Sequence, residues 1–323
     1  MNPRSRKMIV TGTLVVLMVL AVLGAALPAL ANTSVDAKVT QVTGLAADTS
    51  QNVWWATDSS GTIQAIGSDG AVQGELTLDV TPTSVQALTM RGGRLFVGDI
   101  GDAARSRQAV DVYAVTFPAV GSATTKKYEL VYPDGAHDAA AMTVSPNGRI
   151  YVITCGDNPG IYRTSTTPTS GGITNELTRT ADAPEWVTDA VYTTDGTDLV
   201  LRTLNSVIVY DGETFTRQAA AKLADGASGQ ALAHALSGTG LVTANQSTPV
   251  QLVATTVPTT LVDVGTAPSP STASSGSASP SASASAAATD STASTANRSG
   301  TFWALVGAGL LSLLAAGIVA FKR

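Results

Sequence analysis

Between residues 43 and 253 the chain repeats one local pattern five times. A strand of small or apolar residues is followed by a turn, a hydrophobic strand, a polar loop and a third strand. The first copy is Thr43-Gly-Leu-Ala-Ala47, Asn52-Val-Trp-Trp-Ala-Thr-Asp58 and Thr62-Ile-Gln-Ala-Ile66. The second is Gln86-Ala-Leu-Thr-Met90, Arg94-Leu-Phe-Val-Gly-Asp99 and Val110-Asp-Val-Tyr-Ala-Val115. The third is Ala140-Ala-Met-Thr-Val144, Arg149-Ile-Tyr-Val-Ile-Thr154 and Gly160-Ile-Tyr-Arg163. Asp189-Ala-Val-Tyr192, Asp198-Leu-Val-Leu-Arg202 and Val207-Ile-Val-Tyr210 make the fourth. Gln230-Ala-Leu-Ala233, Gly240-Leu-Val-Thr-Ala244 and Val250-Gln-Leu-Val253 make a more degenerate fifth.

Successive copies start about 41 to 54 residues apart. A period near that length with several strands in each unit is the blade of a β-propeller. Turn residues such as Ser145-Pro-Asn-Gly148 and Thr194-Asp-Gly196 fall between first and second strands, where hairpin chemistry requires them. Residues 126–132 and 214–223 supply outer, fourth strands. A β-sandwich also uses many short strands, but it gives no reason for a repeat. The sequence therefore predicts an all-β propeller with five visible blades and leaves open a sixth shared between the two ends of the domain. Trp54 and Trp55 are adjacent on one strand, so one is expected to face the core and the other outward.

The ends of the chain follow other rules. A basic start containing Arg4, Arg6 and Lys7 leads into an apolar run and then Ala29-Leu30-Ala31. That order is expected of a secretory signal cleaved after Ala31, and residues 32–265 are then the ectodomain. An uncleaved N-terminal anchor is the alternative. Residues 266–300 are almost wholly Ser, Ala, Thr, Pro and Gly, too poor in large apolar groups to repay ordering, and they read as a disordered stalk. Residues 301–321 hold an uncharged run, Phe302 to Phe321, of the length a helix needs to cross a bilayer, and Lys322-Arg323 follow it. Positive residues stay on the cytoplasmic side, so the expectation is one transmembrane helix with the ectodomain outside the cell.

Within residues 32–265 there are 23 acidic and 13 basic side chains, a net charge of −10. That balance disfavours nucleic acid as a partner and leaves the membrane contact to the C-terminal helix. Cys155 is the only cysteine, which excludes an intrachain disulfide and suits a small buried hydrophobe.

In a propeller the loops entering each inner strand, and those joining second and third strands, open on one face. That layout collects Asp58, Asp99, Asp102, Asp157 and Asn158 with His137, Asp138, Thr188, Asp189, Gly229 and Gln230. Oxygen-rich clusters of this kind suit Ca²⁺ or a polar ligand. Asp and Asn beside Gly are also the ordinary residues of tight turns, so Asp58 and Asp157 carry that plainer reading too. Two histidines, His137 and His234, are too few for a His-rich metal site. No P-loop, dinucleotide fingerprint, Cys-x-x-Cys, His-Glu-x-x-His or Gly-x-Ser-x-Gly occurs.

The strings Thr43-Gly-Leu-Ala46, Arg94-Leu-Phe-Val-Gly-Asp-Ile-Gly-Asp102 and Tyr132-Pro-Asp-Gly-Ala-His-Asp138 resemble bacterial propellers of the esterase-like phytase type. The resemblance implies hydrolysis of esters or phosphate esters. It also implies acidic residues at inner-strand entries, where this chain has Gln86 and Ala140; Ala103 and Cys155 stand where Asn and Lys are expected. Losing those groups removes cation ligands and a general base together. The sequence therefore points to a non-enzymatic, membrane-anchored module binding an extracellular or cell-envelope ligand. The alternative is a Ca²⁺-assisted hydrolase using Asp99, Asp102, His137, Asp138 and Asp189, with Asp58 a sixth ligand or cation candidate at the channel mouth. No cofactor is implied outright; Ca²⁺ is the one this pattern admits.

Overall fold

The computed structural model describes residues 32–224 and 229–264. The signal, the stalk and the C-terminal apolar segment expected from the sequence lie outside the described residues. None of the described residues forms a helix long and apolar enough to cross a membrane.

A first strand, β1 (Asn32–Ser34), precedes the repeats. The first blade is β2 (Gly44–Asp48), β3 (Val53–Thr57), β4 (Ile63–Gly67) and β5 (Val72–Leu78). The second begins with β6 (Val85–Arg91), β7 (Arg94–Asp99) and β8 (Val110–Thr116). The chain then makes a short excursion, β9 (Gly121–Ala123), before completing that blade with β10 (Lys126–Val131). The third consists of β11 (Ala139–Val144), β12 (Ile150–Thr154) and β13 (Gly160–Arg163), an excursion β14 (Thr174–Glu176), and β15 (Thr178–Asp182). The fourth is β16 (Val187–Tyr192), β17 (Asp198–Thr203), β18 (Ser206–Asp211) and β19 (Arg217–Lys222). The fifth has only β20 (Leu232–His234), β21 (Leu241–Ala244) and β22 (Gln251–Thr255) of its own.

Its fourth strand is β1, which lies outside β22. Just beyond β1, the Val35 N–H donates to the Val250 carbonyl at 2.9 Å. The two ends of the domain do share a blade, but it is the fifth. The sixth blade that the sequence left open is therefore not needed, and the architecture is a five-bladed, all-β propeller.

Blades pack face to face, so the three inner strands of each are covered on both sides and read as apolar runs more than as alternations. β3 (Val-Trp-Trp-Ala-Thr) and β12 (Ile-Tyr-Val-Ile-Thr) are buried at every position. The outer strand β5 alternates buried or half-buried residues with exposed ones. Trp54 and Trp55 show the consequence. Neither faces solvent: Trp54 packs with Val242 and Leu252 between the fifth and first blades, and Trp55 with Leu88 and Val97 between the first and second. Similar apolar clusters fill the other three seams, around Met142, around Leu201 and around Leu232.

Five inner strands converging on one axis leave little room, which explains their small residues Ala46, Ala87, Ala141, Ala190 and Ala233. Gly44 is the tightest case described for an inner strand, since a Cβ there would stand 2.6 Å from the backbone nitrogen of Leu88. On the outside, three edges are strapped by chain from the next blade. β9 pairs parallel with β5, and β14 pairs parallel with β10. The segment after β22 returns to the fourth blade, where the Thr260 carbonyl accepts the Ala220 N–H of β19 at 2.9 Å.

Candidate functional site

The site follows from an irregularity repeated at the inner-strand entries. The pairing register slips between Val85 and Ala87 in β6, between Ala139 and Ala141 in β11, and between Val187 and Asp189 in β16. Each slip is a bulge that leaves one residue outside the ladder: Gln86, Ala140 and Thr188. In the other two blades Thr43 and Gln230 precede the inner strand. These five residues, one from each blade, line a single cavity of about 170 Å³ at the channel mouth. Asp138, Cys155, Asp157, Glu185, Trp186 and Leu204 form part of its wall.

Two members of the ring are satisfied within the protein. The Thr43 hydroxyl lies 3.1 Å from the Val85 carbonyl and 3.2 Å from that of Thr57, and the Gln86 amide donates to Ser84 Oγ at 3.0 Å. The other two polar members are not. Thr188 is only 6 % exposed and its Oγ1 has no hydrogen-bond partner among the described residues, and neither has Gln230 Oε1. A buried hydroxyl without a partner costs about 1–3 kcal/mol, so both atoms favour a guest that bonds to them.

Of the six residues singled out as ligand candidates, Asp138 lines this cavity. Asp99 is buried and accepts the N–H groups of Thr83 (3.0 Å) and Ser84 (2.7 Å) together with Arg107 Nη1 (3.0 Å), fixing the loop that enters β6. Asp102 accepts the N–H groups of Ser106 (3.1 Å) and Arg107 (2.8 Å), which closes the β7–β8 loop. The Asp102 N–H in turn donates to Asp138 Oδ1 at 2.8 Å. Arg107 thus joins Asp99 to Asp102, and the Asp102 N–H extends the network to Asp138, the one member at the cavity.

The other three stand apart. Asp58 Oδ1 accepts the N–H groups of Ser60 (2.9 Å) and Thr62 (3.1 Å), the bonding of a tight turn. His137 Nε2 lies 3.0 Å from Asp134 Oδ1 and 3.2 Å from the Tyr162 hydroxyl, with its ring in a T-shaped contact with Tyr132 and tilted against Tyr162. Burial pushes the Asp134 carboxyl up, but the bonds from Tyr162 and His137 outweigh it and hold it below its ordinary value. Asp189 is fully buried between the fourth and fifth blades, where it accepts the N–H groups of Ala190 (2.8 Å) and Leu232 (2.7 Å). Desolvation drives its carboxyl well above the usual range, against those two bonds and the charge of Arg202. Among the described residues, no three His, Cys, Asp or Glu side chains gather in a way that could hold a metal ion.

Cys155 sits one residue beyond β12, at the cavity wall, and its Sγ approaches Asp138 Oδ2 at 3.5 Å. Burial, aided by that neighbouring carboxylate, pushes the thiol far up, so it stays protonated and unreactive. Glu185, Trp186 and Leu204 were not evident from the sequence. The usable signal was positional, because Glu185 and Trp186 immediately precede an inner strand.

Fold and site together define a five-bladed propeller with a small cavity of mixed polar and apolar lining at one mouth of its channel. No family model and no curated protein sequence matches the chain. Among solved structures, a gluconolactonase from Xanthomonas campestris is similar at 14 % identity, covering 72 % of this chain and 90 % of its own, with a TM-score of 0.43. Regucalcin, a calcium-binding protein from Agrobacterium tumefaciens, is similar at 13 % identity over 67 % and 71 %, TM-score 0.38. A Bacteroides caccae protein of unknown function is similar at 10 % identity over 56 % and 60 %, TM-score 0.39. Similarity this remote brings neither lactone hydrolysis nor a calcium site to this chain.

Proposed function

We propose that this chain is a ligand-binding propeller displayed at a bacterial cell surface, held by its C-terminal apolar segment and using the channel-mouth cavity as its binding site. The observation that carries the reading is Thr188, a nearly buried hydroxyl without a partner on the wall of a cavity to which all five blades contribute. Hydrolysis of the phytase type would need several carboxylates converging on one cation and a general base beside it. Here Asp99, Asp102 and Asp189 are occupied by backbone N–H groups, and each holds a loop or a seam.

Two measurements on the full-length chain in detergent test this. Phosphatase and esterase assays with and without Ca²⁺ are expected to give no metal-dependent turnover; robust turnover would overturn the reading. A mixed panel of small neutral, anionic and cationic compounds, followed by tryptophan emission and thermal shift, is expected to give at least one binder that Thr188→Val weakens. If no compound in the panel binds, the cavity is not a binding site.

A further inference from the structure

Resting on that reading, we infer that the cavity selects an organic cation, a primary ammonium group carried on a short alkyl chain. Three carboxylates, Asp138, Asp157 and Glu185, stand in the lining, and no lysine or arginine does. Arg105 reaches Asp157 from outside that lining, at 3.9 Å, and Asp138 accepts the Asp102 N–H at 2.8 Å, so two of the three charges are partly answered. A phosphate or carboxylate group would enter against this field and would find no cationic side chain to bind it.

The two polar atoms without partners point the same way. Gln230 Oε1 can only accept a hydrogen bond, and the Thr188 hydroxyl accepts as readily as it donates. An ammonium group supplies three donors and no acceptor, and so satisfies both while its charge faces the carboxylates. The wall also holds Ala139, Ala140, Val187 and Leu204, whose apolar side chains suit an alkyl chain. Size fits as well: engineered cavities of roughly 150 Å³ hold benzene, and butylammonium has fewer heavy atoms than that. A lysine side chain on a protein partner and a free aliphatic amine share this chemistry.

The test is calorimetric titration of the full-length chain in detergent with n-butylamine, n-butanol and butyrate, which match in length and differ in charge. Butylamine at pH 7 is expected to bind with Kd of roughly 0.1–10 mM, the range so few atoms allow. It should bind about tenfold or more tightly than the other two. Thr188→Val should weaken it about tenfold by removing a charge-assisted bond, while leaving thermal stability unchanged or raised because an unbonded buried hydroxyl is gone. Glu185→Gln should weaken it about threefold and flatten its salt dependence.

Comparing butylamine with N-acetyl-lysine-N-methylamide separates the two sources: tighter binding of the capped lysine assigns the site to protein lysines, and the reverse to free amines. Equal or tighter binding of butanol or butyrate would overturn the charge assignment and leave the binding reading standing. No binding by butylamine would also overturn it, and the mixed panel then decides separately whether the cavity binds anything.

Discussion

Asp189 gives the sharpest stability prediction. Its carboxylate is wholly buried and accepts one N–H from its own strand, at Ala190, and one from the next blade, at Leu232. Replacing it with alanine leaves both donors buried without acceptors, at about 1–3 kcal/mol each, so the two together cost about 4 kcal/mol. Arg202, opposite Asp189 in the β16–β17 register, is itself fully buried. Its guanidinium is bonded to the carbonyls of Ala231 (2.6 Å) and Ala244 (3.0 Å) and cannot move toward water without breaking the same seam. Domains of this size lose roughly 2–4 °C in Tm per kcal/mol, so Asp189→Ala should melt about 8–16 °C below wild type. The assay is thermal unfolding followed by near-ultraviolet circular dichroism. Asp189→Asn, which keeps one acceptor oxygen, should fall between the two. A Tm for Asp189→Ala within about 2 °C of wild type would refute the claim that this carboxylate holds the fourth and fifth blades together.

Three further outcomes follow from the geometry. Gly44→Ala should destabilise the protein by at least about 2 kcal/mol in urea unfolding, because its Cβ would strike backbone atoms of Leu88 and Ala87 that have nowhere to move. Cys155 should alkylate with iodoacetamide at pH 8 far more slowly than a free thiol in the same solution, and quicken to the free rate only in denaturant. Burial pushes the Asp48 carboxyl up, but hydrogen bonds from Ser50, Gln51 and Trp55 outweigh it and hold it low. Its contribution to stability is therefore present above the unfolded carboxylate pKa near 3.9 and is lost as pH falls through the lower folded value. Asp48→Asn should accordingly show a shallower loss of Tm between about pH 4 and pH 2 than wild type does.

The blade pattern was legible because it rests on strong local chemistry. The predicted strand from Arg94 to Asp99 is β7, and the turns at Gly148 and Gly196 close hairpins with φ of 84° and 78°. The straps β9 and β14 were not legible. Gly-Ser-Ala and Thr-Asn-Glu carry no alternation, and only the bare edge of a neighbouring blade makes them strands. The acidic candidates divide for a related reason. A sequence shows where carboxylates fall, but it does not show which backbone N–H groups need an acceptor, and Asp99, Asp102 and Asp189 answer that need. Gln86 and Ala140 were noticed for lacking charge. Their role as bulge residues depends on a register slip that no local pattern announces.

The shared fifth blade also sets the order in which the protein can be completed. β1 is among the first parts of the domain to be synthesised and its partner β22 is nearly the last, so the ring cannot lock until almost the whole domain has left the ribosome. Closing so long a loop adds little to the thermodynamic cost, since each doubling of length is worth only about 0.6 kcal/mol, but such distant contacts slow folding. Until the fifth blade arrives, the fifth-to-first seam is open at Trp54, and a chain stalled or truncated before it carries that tryptophan bare. A nascent-chain series should therefore gain protease resistance in one late step, at lengths that release residue 255 from the exit tunnel, and not in five equal increments.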